Sequence, residues 1–235
     1  MKNKIGDIAV ILGKTALGSI PAVGPLVAEI IGNLIPDLRF KRIFSLLEAL
    51  EAKIDPEEKE KIEAKMLEEK SIDLMEDGFL QAARALSEER IDYIASLLKN
   101  GLTDEDLEHI AYKKLLSILG EINDIEVLIL KSHSMTLIKA QEFRTTHNNI
   151  LNRPIVSLYA PQDELDKATI YETYEINLAR LDLIERRFKK PLQGESPKFD
   201  EKTGMMEAQG YSITSLGMLL LRSIDQDEDA YWKQH

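Results

Sequence analysis

The chain has 235 residues, of which 44% are hydrophobic and 30% are charged, and it contains no cysteine. This composition predicts a folded protein of one large domain or two small ones, without disulfides, thiolate zinc sites or cysteine nucleophiles. The net charge of −11 argues against a protein that coats nucleic acid, because acidic surfaces repel phosphate. A chain without cysteine suits a reducing compartment, so we expect a cytoplasmic protein, with membrane association on activation as an alternative.

The first motif, DIAVILGKT at residues 7–15, resembles the end of a phosphate-binding loop. Such a loop has the pattern G-x-x-x-x-G-K-[ST], because its first glycine opens a turn whose N–H groups bind the phosphates. Gly13, Lys14 and Thr15 match the end of this pattern, but Ile8 occupies the position of the first glycine. We therefore expect no nucleotide at this segment.

Between Ile5 and Pro36 the chain is almost uncharged, with two prolines in its longest apolar run. A membrane-spanning helix needs roughly 20 uninterrupted apolar residues, so the pattern predicts two short helices, at about 5–18 and 25–35. We expect them to form a buried hairpin, with a membrane-perturbing segment over residues 5–35 as the alternative. Side chains that could contact a membrane or a partner are Ile8, Ile11, Leu12, Leu17, Leu26, Ile30 and Ile31.

The first half of the chain, residues 1–119, is predicted to form a helical bundle. A helix follows Pro36, with Asp37 as its N-cap, and its apolar stripe includes Phe40, Ile43, Phe44, Leu47, Leu50 and Ile54. A charged segment at 56–70 has a thin apolar face. Residues 72–101 predict a long apolar seam that includes Leu74, Phe79, Ala83, Leu86, Ile91, Ile94, Ala95 and Leu98. Thr103 and Asp106 resemble a capping box that starts a helix through Leu119.

Polar residues in this half do not assemble a catalytic or metal site. His109 stands four residues after Glu105 and three after Asp106, spacings that can join two metal ligands on one helix. A dimetal site needs a second such pair, and the sequence does not supply one. His133 and His147 lack matching partners as well. We therefore expect no metal, no cofactor, no catalytic residues and no enzymatic activity.

The order of elements changes after Gly120. Residues 123–134 predict a helix, about 145–166 a loop, and 166–188 a helix that runs into a short strand. The apolar side of that helix is predicted from Ile170, Tyr174, Ile176, Leu178, Leu181 and Leu183. A turn-rich linker at 189–204 precedes a strand that ends at Thr214 and a helix that begins at Ser215.

Helix, helix, strand, long turn, strand is the order of a winged helix. The sequence YSITSLGMLLLRSI (211–224) resembles the segment that returns from the wing, in which Thr214 caps the last helix and Gly217 packs closely. The fold class that we expect is therefore mainly α: an N-terminal helical bundle followed by a winged-helix-like α+β unit over residues 120–235, with a two-stranded wing.

The charges on this predicted unit disfavour reading of DNA bases. The presumed recognition helix, 167–182, carries Lys167, Glu172, Glu175, Arg180 and Asp182, whereas groove-reading helices present Arg, Lys, Asn or Gln. We expect this helix to contact protein or to be structural. The wing carries a basic cluster that consists of Arg186, Arg187, Lys189 and Lys190. This cluster could bind an anionic partner, so a DNA-binding regulator is an alternative function.

Three segments together resemble the bacterial abortive-infection Abi-alpha group. They are LRFKRIFSLLEAL (38–50), EDGFLQAARALSEERIDYIASLL (76–98) and LTDEDLEHIAYKKLLSILGEINDIEVLIL (102–130), and the T-x-L-G phrase at 214–217 matches too, whereas the insert at 134–166 is a departure. The resemblance implies a role in phage defence or stress and no catalytic residues. We expect a non-enzymatic defence or stress-response protein that acts through contact with a protein partner or its own copies, without a small-molecule substrate.

Overall fold

The computed structural model describes residues 24–27, 37–104, 107–151, 160–188 and 208–234, with positions 191, 196, 198, 199, 201, 204 and 206. Within them the chain is mainly helical and has one two-stranded antiparallel sheet near its C-terminus, which confirms the predicted fold class. No helix among these residues has the length and apolar character needed to cross a membrane. Residues 24–27 are helical, whereas the rest of the predicted N-terminal hairpin lies outside the described residues.

The chain forms two compact units. The first ends at Glu121 and also includes Ser223–Asp225; the second comprises Ile122–Arg222 and the residues from Gln226 onward. The described helices of the first unit are α1 (Asp37–Lys53), α2 (Lys59–Lys65), α3 (Glu69–Ala82), α4 (Glu88–Thr103) and α5 (His109–Glu121).

The core of the first unit forms where α1 and α3 pack against α4, and α3 and α4 against α5. Side chains at helical spacing on these helices are completely buried, among them Ile43, Leu46, Leu47, Leu50, Leu74, Phe79, Ile94, Leu97, Leu98 and Leu119. Two long polar side chains bond carbonyl groups near the end of α5: Gln81 Nε2 donates to Leu116 O and Arg90 Nη1 to Leu119 O, both at 2.8 Å. The second bond matters because Leu119 O is among the last four carbonyls of α5, which have no partner inside the helix.

The predicted seam over residues 72–101 is interrupted. Helix α3 ends at Ala82, and α4 starts after Ser87, whose hydroxyl caps it by accepting a hydrogen bond from Arg90 N at 3.1 Å. Leu86 lies in the short connection, where helical spacing does not apply, and it is 90% exposed. Its assignment to the buried seam is therefore wrong.

The predicted capping box at Thr103 is also wrong. Thr103 is the last residue of α4, and its hydroxyl donates to the carbonyl of Lys99 at 3.0 Å. The next residue bonds forward instead: the Asp104 carboxylate accepts hydrogen bonds from Leu107 N, before α5 begins, at 3.4 Å and from the Tyr112 hydroxyl at 2.7 Å. A threonine hydroxyl can either cap the following helix or bond back to a carbonyl of its own helix. The three-residue spacing between Thr103 and Asp106 does not distinguish these two bonds. Asp106 lies outside the described residues.

The described elements of the second unit are α6 (Asp124–Ser134), α7 (Leu137–Thr146), α8 (Asn148–Leu151), α9 (Gln162–Arg180), β1 (Ile184–Phe188), β2 (Ala208–Ile213), α10 (Ser215–Ser223) and a 3-10 turn (Tyr231–Gln234). The loop predicted at 145–166 is wrong at both ends, because α8 and the start of α9 lie within it. Acidic side chains at Asp163 and Glu164 favour a helix start there, since they complement the positive end of the helix dipole.

Helix α6 begins with a capping box that the sequence segment NDIE encodes. The Asn123 side chain accepts from Glu126 N at 3.0 Å, and Glu126 Oε2 accepts from Asn123 N at 2.7 Å. The same carboxylate is buried and its other oxygen accepts from Asn177 Nδ2 on α9 at 2.8 Å. One side chain thus starts α6 and attaches α9 to it.

The wing pairs β1 with β2 in antiparallel register, from Ile184 opposite Ile213 to Phe188 opposite Ala208. The register shifts between Arg187 and Phe188, and Gly210, opposite Arg187, has φ +124°. That backbone conformation is open to glycine and strained for other residues. The glycine therefore permits the irregularity in the sheet.

The junction between the wing and α10 confirms the predicted roles of Thr214 and Gly217. The Thr214 hydroxyl donates to Asp182 O at 2.6 Å and accepts from Gly217 N at 3.0 Å, so it caps α10. A Cβ placed on Gly217 would lie 2.3 Å from the carbonyl oxygen of Leu183 and 2.8 Å from Ile213 Cγ1. Glycine is required here because α10 packs directly on backbone.

We predict that Gly217→Ala lowers the free energy of unfolding by about 1–3 kcal/mol, because the new methyl group must displace backbone. Helix propensity alone would give the opposite sign, since alanine is better than glycine by about 1 kcal/mol. Urea denaturation of the full-length chain, followed by circular dichroism, measures the change. Gly120→Ala is the control, because its Cβ would meet only the Gln81 side chain, at 3.1 Å. Equal stability of the two variants would contradict the prediction.

Candidate functional site

The exposed side of α9 is the first candidate surface. Leu165, Thr169, Glu172 and Ile176 are spaced by four, three and four residues, so they share one side of the helix, and all are exposed. We call these residues the outer face. Leu165 is 38% and Ile176 57% exposed, and the neighbouring Ile170 is 55% exposed. The prediction that Ile170 and Ile176 belong to the buried side of this helix is therefore wrong.

The opposite side of α9 explains this arrangement. Leu178 is completely buried, the Tyr171 hydroxyl donates to Leu151 O at 2.7 Å, and Asn177 donates to Glu126. The helix is thus attached mainly through polar side chains rather than through a continuous apolar stripe. Sequence periodicity, which counts apolar residues, could not identify a side that is attached in this way.

The charge of α9 is negative, with five acidic against two basic residues. The outer face contains no arginine, lysine, asparagine or glutamine, the residues that read bases and contact phosphates. Aliphatic side chains beside acidic ones instead suit a protein surface.

The two arginines of the basic cluster predicted on the wing lie on different faces of the sheet. Arg186 and Arg187 are both exposed and are consecutive in β1, so their side chains point to opposite faces of the sheet. Lys189 and Lys190 lie outside the described residues. Among the predicted membrane or partner contacts, Leu26 is described and is half-buried; those that lie outside are Ile8, Ile11, Leu12, Leu17, Ile30 and Ile31.

A cleft of about 960 Å³ lies in the second unit between α7 and the wing. It is lined by His133 from the end of α6, Gln141 and Arg144 from α7, Glu175 from α9 and Arg187 from β1. The backbone of β2 from Gln209 to Ser212 lines it as well, and its lining is mostly polar. The cleft brings Arg187, a residue of the predicted basic cluster, together with Arg144 and His133. These residues lie far from Arg187 in the sequence and share the cleft with it only in the folded chain.

His133 is the central titratable group of the cleft. Burial, with smaller contributions from the positive charges of Arg144 and Arg187, lowers the pKa of His133 from 6.5 to about 4, so its ring is neutral at pH 7. Nε2 is buried and has no hydrogen-bond partner among the residues that the structure describes. The ring packs edge-on against Tyr211, with 6.4 Å between the ring centroids. A neutral imidazole can donate one hydrogen bond and accept another.

The histidine of the first unit, His109, lies beside an ion-pair network. Lys113 Nζ lies 2.7 Å from Asp73 Oδ2 and 3.0 Å from Asp77 Oδ2, and His109 Nε2 lies 3.5 Å from Asp73 Oδ2. The hydrogen bond from Lys113 lowers the pKa of Asp73. Across the described residues, no three His, Asp or Glu side chains are placed to hold a metal ion. Glu105 and Asp106, the proposed partners of His109, lie outside those residues.

Comparison with protein-family models, with curated proteins and with solved structures gives no match to this chain.

We predict that acid destabilises the wild type more than His133→Phe. The unfolded chain binds a proton at His133 near pH 6.5, whereas the folded chain binds it only near pH 4, so lowering the pH through this interval favours unfolding. The loss at this residue approaches about 3 kcal/mol at pH 4. Urea denaturation from pH 8 to pH 4 measures it, and pH 8 is the control, because His133 is neutral there in both states. A parallel loss of stability in the two proteins would contradict the prediction.

Proposed function

We propose that this chain is a non-enzymatic protein of bacterial defence or stress response that acts through protein–protein contact, and that the outer face of α9 is its contact surface. The observation that carries the proposal is the exposure of Leu165 and Ile176 along one side of an acidic helix. Exposed aliphatic side chains on one side of a helix, with charged residues near them, can take part in an interaction site.

The biological setting is supported by the sequence resemblance to the Abi-alpha group, through the segments at 38–50, 76–98 and 102–130. The molecular role is supported by the composition of the outer face. A helix that reads a DNA groove presents donors and cations, whereas this face presents Leu165, Thr169, Glu172 and Ile176. We therefore place protein contact before DNA contact.

The partner that fits this surface best is a second copy of the chain. In an antiparallel pair of α9 helices related by a twofold axis, Leu165 of each chain would meet Ile176 of the other. The same arrangement brings Arg180 near the first-turn carboxylates Asp163 and Glu164. The helix is therefore complementary to itself in apolar pattern, and the contacts of Arg180 offset part of its net negative charge.

We predict that the full-length chain associates with itself and that Ile176→Glu weakens the association by about tenfold or more. Each buried isoleucine contributes about 1.5–3 kcal/mol, and a twofold interface loses two of them. Sedimentation velocity over a concentration series measures the association.

The matched control is Ile138→Glu, which makes the same change at another exposed isoleucine, on α7 (75% exposed). This variant should associate as the wild type does. A wild type that is monomeric at every concentration would contradict self-association, and so would an equal effect of both variants.

A further inference from the structure

Helix α7 is attached near its first residues, yet none of its ten residues, all of which the structure describes, is buried. Before it, Met135 pairs with Ala230 as an isolated β-bridge, and Lys139 Nζ lies 2.9 Å from Asp229 Oδ1. Helices in proteins are stabilised mainly by packing one side against the rest of the fold. The inner side of α7 instead faces the cleft, so a ligand there would supply the missing packing.

The cleft has the size of a small-molecule site, and its lining is more polar than is usual for one. Its volume of about 960 Å³ lies within the range of ligand pockets, roughly 300–1,000 Å³. Its lining combines charged groups with the amides of Gln141 and Asn148 and the aromatic rings of Tyr211 and Tyr231. A few convergent polar groups beside aromatic rings can fix the orientation of a bound molecule.

The charged groups favour an anion. Arg144 and Arg187 reach the cleft from different elements, and within the described residues neither forms an ion pair with a carboxylate. Both charges lower the pKa of His133, which lies near the end of α6. A metal cation would be repelled by two guanidinium groups, whereas a phosphate matches their planar array of donors.

We propose that the cleft between α7 and the wing binds a phosphorylated small molecule of nucleotide size, with its phosphate between Arg144 and Arg187. His133 also lines the cleft, although its Nε2 is buried within the protein. Tyr231, which is 41% exposed, offers a ring on which a base can stack. The Glu175 carboxylate can accept from sugar hydroxyls.

Isothermal titration calorimetry of the full-length chain tests this proposal, with adenosine monophosphate, inorganic phosphate and adenosine as probes. We expect adenosine monophosphate to bind at one saturable site, inorganic phosphate to bind more weakly, and adenosine to give no measurable heat of binding. Arg144→Gln and Arg187→Gln should each weaken the binding of adenosine monophosphate by about tenfold or more, because each removes a charged hydrogen-bond donor.

Arg186→Gln is the matched control, because it removes the same charge from the neighbouring strand position on the opposite face of the wing. This variant should bind adenosine monophosphate as the wild type does, and circular dichroism should show the same fold in all three variants. The proposal is overturned if neither phosphate compound binds, if adenosine binds as tightly as its monophosphate, or if Arg186→Gln weakens binding as much as Arg187→Gln. Equal affinity for inorganic phosphate and adenosine monophosphate would overturn the nucleotide-sized ligand.

Discussion

The second unit depends on one buried carboxylate, that of Glu126. It accepts a hydrogen bond from the backbone of Asn123 at 2.7 Å and another from Asn177 on α9 at 2.8 Å. Because a buried carboxylate without partners would be costly, α9 is constrained to place Asn177 next to Glu126 of α6. Asn177 and the completely buried Leu178 mark the inner side of α9, and Ile176 lies on the exposed side. At the other end of α6, His133 is carried to the cleft. The position of α6 therefore affects both candidate surfaces, the outer face of α9 through Glu126 and the cleft through His133.

The two surfaces of this unit differ in chemistry. The outer face of α9 is aliphatic and acidic, which suits contact with another protein, whereas the cleft between α7 and the wing contains two arginines and suits an anion. Arg186 and Arg187 point to opposite faces of the wing, so these two positive charges do not lie on one side. The unit has the order of elements of a winged helix, and the outer face of α9 carries none of the side chains that read bases.

The features that the sequence predicts well are local. The helix after Asn123, the two wing strands and the Thr214 cap each depend on residues within a few positions of one another. Some errors arise where distant contacts decide, as when Asn177 and Glu126 orient α9 and leave Ile170 and Ile176 exposed. Those at Leu86 and Thr103 are local and concern where α3 and α4 end. The cleft could not be predicted, because Arg144 and Arg187 are far apart in the chain and meet only through folding.

Cross-linking at one introduced thiol tests the central claim, contact through α9, most directly. Because the chain has no cysteine, Thr169→Cys places a single reactive group in the middle of the outer face. A short bismaleimide should join two such chains into a covalent dimer, whereas Thr146→Cys, at an exposed threonine that ends α7, should remain monomeric. A Thr169→Cys protein that yields no more dimer than Thr146→Cys would contradict the account.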